Sequence, residues 1–249
     1  RLLFLLFQAN FLLIVLLLQD GGLLHRTLKV SQRDTKRQSR ISLLFCTILT
    51  MAKIFPKEID YVTGAFGGTK SKAVTFGPCV REIGECAFLG SDLERIYMPD
   101  NVCEVGRFAF ANCKAVEYVR LSSRLTKIEE GVFQDCTKLK TIRIPDSVVE
   151  VSRAAFAGCE SLTSFEGKYA SRDGRCLIVD GELVAFAPAG LTEYSIPSGV
   201  LKVGEFAFAS CYNLKKVIVP DSVCEIMKGA FYGSYLDFIR LPLRIRFVD

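Results

Sequence analysis

The chain has 249 residues, half of them hydrophobic, with no tryptophan and a formal net charge of +5. Residues 1–50 hold seven Lys/Arg against two Asp/Glu; subtracting these from 32 and 27 leaves 25 of each for residues 51–249, so the main body is neutral and has no general attraction for nucleic acid. The single histidine, His25, lies outside that body, which excludes His-based triads, most histidine zinc sites and most imidazole general bases from it.

The first fifty residues are apolar and basic. The run LLFLLFQANFLLIVLLL at 2–18 is apolar enough to enter a membrane, at the short end for a span, and Gln8 and Asn10 weaken it. As a signal peptide it lacks a small-x-small cleavage site. Arg1 alone precedes it, whereas Arg26, Lys29, Arg33, Lys36, Arg37 and Arg40 follow, a pattern that keeps the downstream body in the cytoplasm if 2–18 is a membrane segment. The second apolar run, ISLLFCTIL at 41–49, is too short to span. Met51 opens a segment of soluble character, MAKIFPKEIDYV. Three readings stay open: residues 1–50 are a membrane- or signal-like segment, they are no part of the native protein, or the chain is a fragment.

From residue 61 onward the chain repeats itself. A dipeptide ending in Phe recurs at Phe66, Phe88, Phe110, Phe133, Phe156, Phe208 and Phe231, in steps of 22, 22, 23, 23, 52 and 23 residues. The long step reads as one period of 23 plus an insert of 29. Each unit has apolar columns such as Leu139, Ile142, Ile144, Val148, Val151, Phe156 and Cys159, with Pro145 between. Alternation at Ile142 and Ile144 predicts a short strand with one buried face, and Pro145 ends it because proline cannot donate to a ladder. One unit is too small to bury its own apolar face. Stacked on its copies, it forms a solenoid with a parallel β-sheet, one strand per 22–23-residue unit, and irregular returns.

These columns resemble the BspA-type leucine-rich repeats of bacterial surface proteins and some parasitic protists, over roughly residues 61–249. The resemblance implies a leucine-rich-repeat superhelix, a noncatalytic recognition role, and attachment to host extracellular matrix or to other microbes. The insert, at about 165–193, resembles the extra β-hairpin within such arrays. Asp180-Gly181 sits between the apolar runs 176–179 and 183–186, the signature of a type I′ turn. A last partial unit holds Leu236, Ile239, Leu241 and Pro242, with no polar closing repeat after it. The expectation there is a longer natural protein or end-to-end self-association.

Cys113, Cys136, Cys159 and Cys211 share one column three residues after each Phe, with Ser91 and Ser234 in the same place. Stacking brings neighbours about 5 Å apart. Disulfides or a metal ladder is one reading; a small buried hydrophobe beside Phe is the other, and the serines favour it. No C-x-x-C pair points to a zinc ribbon. Cys103 and Cys224 occupy a second column nearer the surface, and so many free thiols lean toward a reducing setting.

No nucleotide, hydrolase or metalloprotease motif is present, so no enzyme and no cofactor is expected. Glu129-Glu130 reads as a solvated face, and Asp146 and Asp221, each after a Pro, as turn caps. The outward strand positions form two columns. One reads Ala73, Arg95, Tyr118, Thr141, Glu193, Lys216, Phe238; its neighbour reads Thr75, Tyr97, Arg120, Arg143, Ser195, Ile218, Arg240. Arg95, Tyr97, Tyr118, Arg120 and Arg143, with Lys216 and Arg240 further on, are the candidate ligand-binding residues, since Tyr and Arg dominate interface hot spots and Arg pairs with carboxylates. An acidic protein or a glycan is the expected ligand; the plain alternative is a solvated sheet face. The hairpin is a second candidate surface. An intracellular scaffold binding an endogenous protein is the competing function, and export separates the two.

Overall fold

The structure is a computed structural model that describes residues 61–62 and 66–247. The readings of 2–18 and 41–49 lie outside the described residues. Seventeen short strands follow in order: β1 (Tyr61–Val62), β2 (Glu82–Ile83), β3 (Arg95–Tyr97), β4 (Glu104–Val105), β5 (Tyr118–Arg120), β6 (Lys127–Ile128), β7 (Thr141–Arg143), β8 (Glu150–Val151), β9 (Ser164–Glu166), β10 (Cys176–Val179), β11 (Glu182–Phe186), β12 (Glu193–Ser195), β13 (Lys202–Val203), β14 (Lys216–Ile218), β15 (Glu225–Ile226), β16 (Phe238–Arg240) and β17 (Arg246–Phe247). No described residue is helical.

The fold is a solenoid of parallel strands, about seven turns long. Its three-residue strands form β3-β5-β7-β9 and β12-β14-β16. In β3, β5 and β7 the middle residue is buried and its neighbours are exposed, so Ile96, Val119 and Ile142 face the core. Proline then stops each strand, and the chain turns: Val102, Val148 and Val223 each donate N–H to the carbonyl of the proline three residues back, at 3.1 Å.

The returns are more regular than the sequence suggests. The Val/Ile that follows each turn lies in a two-residue strand, and these form a second parallel ladder, in the pieces β1-β2-β4, β6-β8 and β10-β11-β13-β15-β17. A third rail runs through the Ala-Phe turns. Phe66, Phe88, Phe110, Phe133 and Phe208 each donate N–H to the residue before the next unit's Phe, at 2.7–3.0 Å. The turn around each Phe is tight enough to need left-handed backbone on both sides. The position two before Phe has φ near +55 to +64° at Cys86, Phe108, Gly131, Ala154, Phe206 and Gly229, and the position two after has it at Gly90, Asn112, Asp135, Gly158, Ser210 and Gly233. Gly, Asn and Asp tolerate that region; Phe108 and Ala154 adopt it because the rails on either side fix it.

Inside, the rings stack: Phe66–Phe88 and Phe88–Phe110 at 5.2 Å, Phe110–Phe133 at 5.7 Å and Phe133–Phe156 at 5.8 Å, all nearly parallel. Burying each such ring contributes roughly 1.5–3 kcal/mol. Beyond Phe156 the stack breaks. Phe165 meets Phe156 edge-on at 5.3 Å, and stacking resumes as Phe186–Phe208 (4.6 Å) and Phe208–Phe231 (5.0 Å).

That break marks a correction to the long step. The 52 residues hold an extra turn of the solenoid rather than an excursion from it. Ser164–Glu166 is β9, in register with β7 through Thr141↔Ser164 and Arg143↔Glu166, so the outward columns continue into Ser164 and Glu166 and not into Glu193 and Ser195. The hairpin β10–β11 has positive φ at Asp180 and Gly181, as the Asp-Gly turn requires. Its second strand is a rung of the return ladder: Leu183 pairs with Val203. Phe186 takes the place of the missing Ala-Phe ring. The hairpin also divides the interior into two cores. Leu177, Ala185 and Ala187 pack with residues 66–165, whereas Cys176, Leu183 and Phe186 pack with residues 196–230.

Candidate functional site

The open face of β3-β5-β7-β9 carries a patch of tyrosine and arginine. Register sets Arg95 beside Tyr118 and Tyr97 beside Arg120, a two-by-two checkerboard on adjoining rungs. Tyr97 and Tyr118, 47% and 44% exposed, meet diagonally with ring centroids 5.4 Å apart and tilted by 43°. Arg143 stands on the next rung, with Glu166 beyond it.

The arginines differ in their partners. Arg120 lies 3.5 Å from the Asp100 carboxylate, both side chains half exposed. Ser123, through its N–H and its hydroxyl, and then Arg120 hold that carboxyl below its usual range. Arg95 and Arg143 have no carboxylate within ion-pair distance among the described residues. The patch is thus two free guanidinium groups and one loosely held, around a pair of exposed rings.

Lys216 and Arg240 lie on the other sheet, β12-β14-β16, across the division that β9 and the hairpin introduce. Lys216 is paired with Glu193 at 2.9 Å, Arg240 faces Asp221 at 3.8 Å, and Phe238 is exposed between them. The structure therefore does not join these two with the five residues of the first sheet.

The aspartates after proline are placed differently from the expected caps. Asp100 accepts the N–H of Ser123, in the turn of the following unit, at 3.1 Å. The serine of Pro-Asp-Ser-Val is the residue that ties turns together: Ser147 and Ser222 donate to the carbonyls of Leu125 and Val200 in the units before them, at 2.6 and 2.8 Å.

Glu130 is part of an ionic ladder. The position three before each Phe reads Glu85, Arg107, Glu130, Arg153, Glu205, Lys228. Arg153 bridges Glu130 at 2.9 Å and Glu205 at 3.0 Å, and Arg107 lies 3.9 Å from Glu130. This alternation is visible in the aligned sequence and was the missed signal. A groove of about 420 Å³ runs beside it, between Lys127, Glu150, Arg153, Glu182 and Lys202. Its charges are satisfied within the protein, Lys127 by Glu129 and Glu150 and Lys202 by Glu182.

The column cysteines are buried and free. Cys113, Cys136 and Cys159 donate S–H to the carbonyls of Phe88, Phe110 and Phe133 in the preceding unit, at 3.1–3.3 Å. Burial pushes their thiols up, and that of Cys211 to about 12. They serve as small core residues with one polar tether each. Cys224 is exposed, and Cys103 partly so. Cys176 belongs to a further network: its Sγ is 3.2 Å from the Tyr194 hydroxyl, which donates to Asp173 at 3.0 Å, while Ser171 donates to the same carboxylate at 2.6 Å. Burial pushes the Cys176 thiol up to about 12, so this chain fastens the hairpin to β12 and is no nucleophile site. No cluster of three His, Cys, Asp or Glu among the described residues is placed to hold a metal ion.

A family model for the BspA type leucine-rich repeat region matches residues 57–170 and 182–249, in six copies. No curated protein matches the chain significantly. Among solved structures the chain is similar to the pneumococcal vaccine antigen PcpA, with TM-score 0.66 and 23% identity over 76% of this chain and 50% of that one. It is similar to a leucine rich cell surface protein of Faecalibacterium prausnitzii A2-165, with TM-score 0.61 and 25% identity over 75% of this chain and 59% of that one. A leucine-rich repeat protein of Bacteroides ovatus gives TM-score 0.50 at 24% identity, over 71% and 50%. The chain spans about half the length of these structures. The likeness to PcpA shows the shared fold; the six matched repeats carry the assignment, and the chain belongs to the BspA-type leucine-rich repeat family.

Proposed function

We propose that this chain is a noncatalytic recognition module that binds a protein or glycan at a cell surface through the face of β3, β5 and β7. The family is one of bacterial surface proteins whose repeats carry a binding role. The observation that supports this site is the pairing of exposed Tyr97 and Tyr118 with two unpartnered arginines, Arg95 and Arg143. A face kept only for solubility has no use for stacked exposed rings, and Arg and Tyr are the side chains that concentrate interface energy. Every backbone group of the inner strands is engaged in the ladder, so recognition rests on side chains rather than on strand addition.

No helix among the described residues is long and apolar enough to cross a membrane. Surface display is tested by adding protease to whole cells: repeats on the surface are cut, repeats inside are protected. The binding site is tested by replacing Tyr97, Tyr118, Arg120 and Arg143 by Ala. Binding to an array of matrix proteins and glycans should be lost while thermal unfolding stays cooperative, and unchanged binding overturns the site.

A further inference from the structure

The chemistry of the same face narrows its ligand. It is flat: among the described residues the groove large enough for a small molecule lies on the return ladder, between Lys127 and Lys202, and not here. A compact ligand would keep most of its surface in water on such a face, and small-molecule sites are concave. A flat face of stacked rungs gains affinity only from a ligand long enough to touch several rungs at once. Its cations recur on three successive rungs, Arg95 on β3, Arg120 on β5 and Arg143 on β7, with strands about 4.8 Å apart. That step is on the scale of one pyranose ring in a polysaccharide. Glu166, in register with Arg143 on β9, sets an acidic limit to the run.

The two tyrosines select among polyanions. An acidic peptide would satisfy the arginines but offers no regular flat apolar face to the rings. Sugar rings do, through their axial C–H bonds. Nucleic acid has flat bases too, but residues 51–249 carry equal numbers of acids and bases and offer no wider field to a densely charged phosphate chain.

Resting on the reading of the face given above, we infer that its ligand is an extended anionic polysaccharide, bearing uronate or sulfate groups and lying along the solenoid axis across β3, β5 and β7. Arg95, Arg120 and Arg143 pair with its anionic groups, and Tyr97 and Tyr118 stack on its rings.

The test uses the full chain and four probes: heparin oligosaccharides of increasing length, neutral dextran, poly-glutamate and single-stranded DNA. Affinity for heparin should rise with length, fall with added salt, and exceed that for the other three. Arg95→Ala with Arg143→Ala should weaken heparin binding about tenfold or more, and Tyr97→Ala with Tyr118→Ala should do likewise while the Phe pair retains binding. Tighter binding of poly-glutamate or DNA, still lost in the arginine variant, overturns the polysaccharide and leaves the face standing. Equal binding of dextran overturns the anionic requirement. Heparin binding unchanged in both variants, each still folding cooperatively, overturns the face itself, since the basic residues at 26–40 would then be holding the probe.

Discussion

Arg153 donates to the carboxylate of Glu205, 52 residues further along the chain, at 3.0 Å. The pair reaches across the extra turn that divides the interior into two cores, and Glu130 holds the other edge of the same guanidinium. Alternating charge thus continues where the Phe stack and the outer sheet are interrupted.

Because these side chains are solvent-exposed, the ladder acts as a register mark more than as a store of stability. Arg153→Glu sets a third carboxylate between Glu130 and Glu205 and should lower the unfolding midpoint at low salt, more than Arg153→Ala does. The difference should shrink in high salt, and adding Glu205→Arg should restore part of it. Thermal unfolding at two ionic strengths reads all three.

The Phe stack should be the least tolerant feature. Phe133 is fully buried between Phe110 and Phe156. Phe133→Ala should cost about 3–5 kcal/mol by denaturant unfolding, as truncation of a packed aromatic does.

Gly131 tests the turn geometry. Its φ is +61°, and an added Cβ would overlap the Phe108 ring. Gly131→Ala should destabilise by more than the roughly 1–2 kcal/mol of left-handed backbone alone. Truncating Phe108 to Ala in the same chain should recover the steric part, leaving the backbone part, in a double-mutant cycle.

Cys211 gives a pH dependence. Burial raises its thiol from the ordinary 9.0 to about 12 in the folded state. Below pH 9 it is protonated in both states and costs nothing; between pH 9 and 12 the unfolded chain ionises first, so stability falls as pH rises. Cys211→Ala should flatten this alkaline slope by up to about 1.4 kcal/mol per pH unit. At neutral pH a thiol reagent should label Cys224 rapidly and the buried column Cys113, Cys136, Cys159 and Cys211 only on unfolding.

The units, their strands and the Phe and Cys columns were legible because identical neighbours impose the same burial on each copy: one Ile between two polar residues, repeated, has few solutions. The Asp-Gly turn was legible for a local reason, since both residues must take positive φ. The column Gly90, Asn112, Asp135, Gly158, Ser210, Gly233 held a similar signal, turn-type residues two after each Phe, and would have announced the left-handed bend. The extra turn was hidden because its rung is degenerate. Ser164-Phe165-Glu166 keeps the polar–apolar–polar pattern of a strand, but Phe186 replaces Ala-Phe and a hairpin replaces the plain return, so alignment on Ala-Phe passes over it. The division of the outer sheet, and with it the separation of Lys216 and Arg240 from the Tyr/Arg patch, follows from that rung and could not be read from columns counted in steps of 23.

The most direct test of the account compares the two sheets. One variant carries Tyr97→Ala, Tyr118→Ala, Arg120→Ala and Arg143→Ala on the first; another carries Lys216→Ala, Phe238→Ala and Arg240→Ala on the second. Both are applied with the parent to the same array of matrix proteins and glycans, after matched unfolding curves. The account predicts that binding is lost from the first variant and kept by the second. Loss from the second with retention by the first would contradict it.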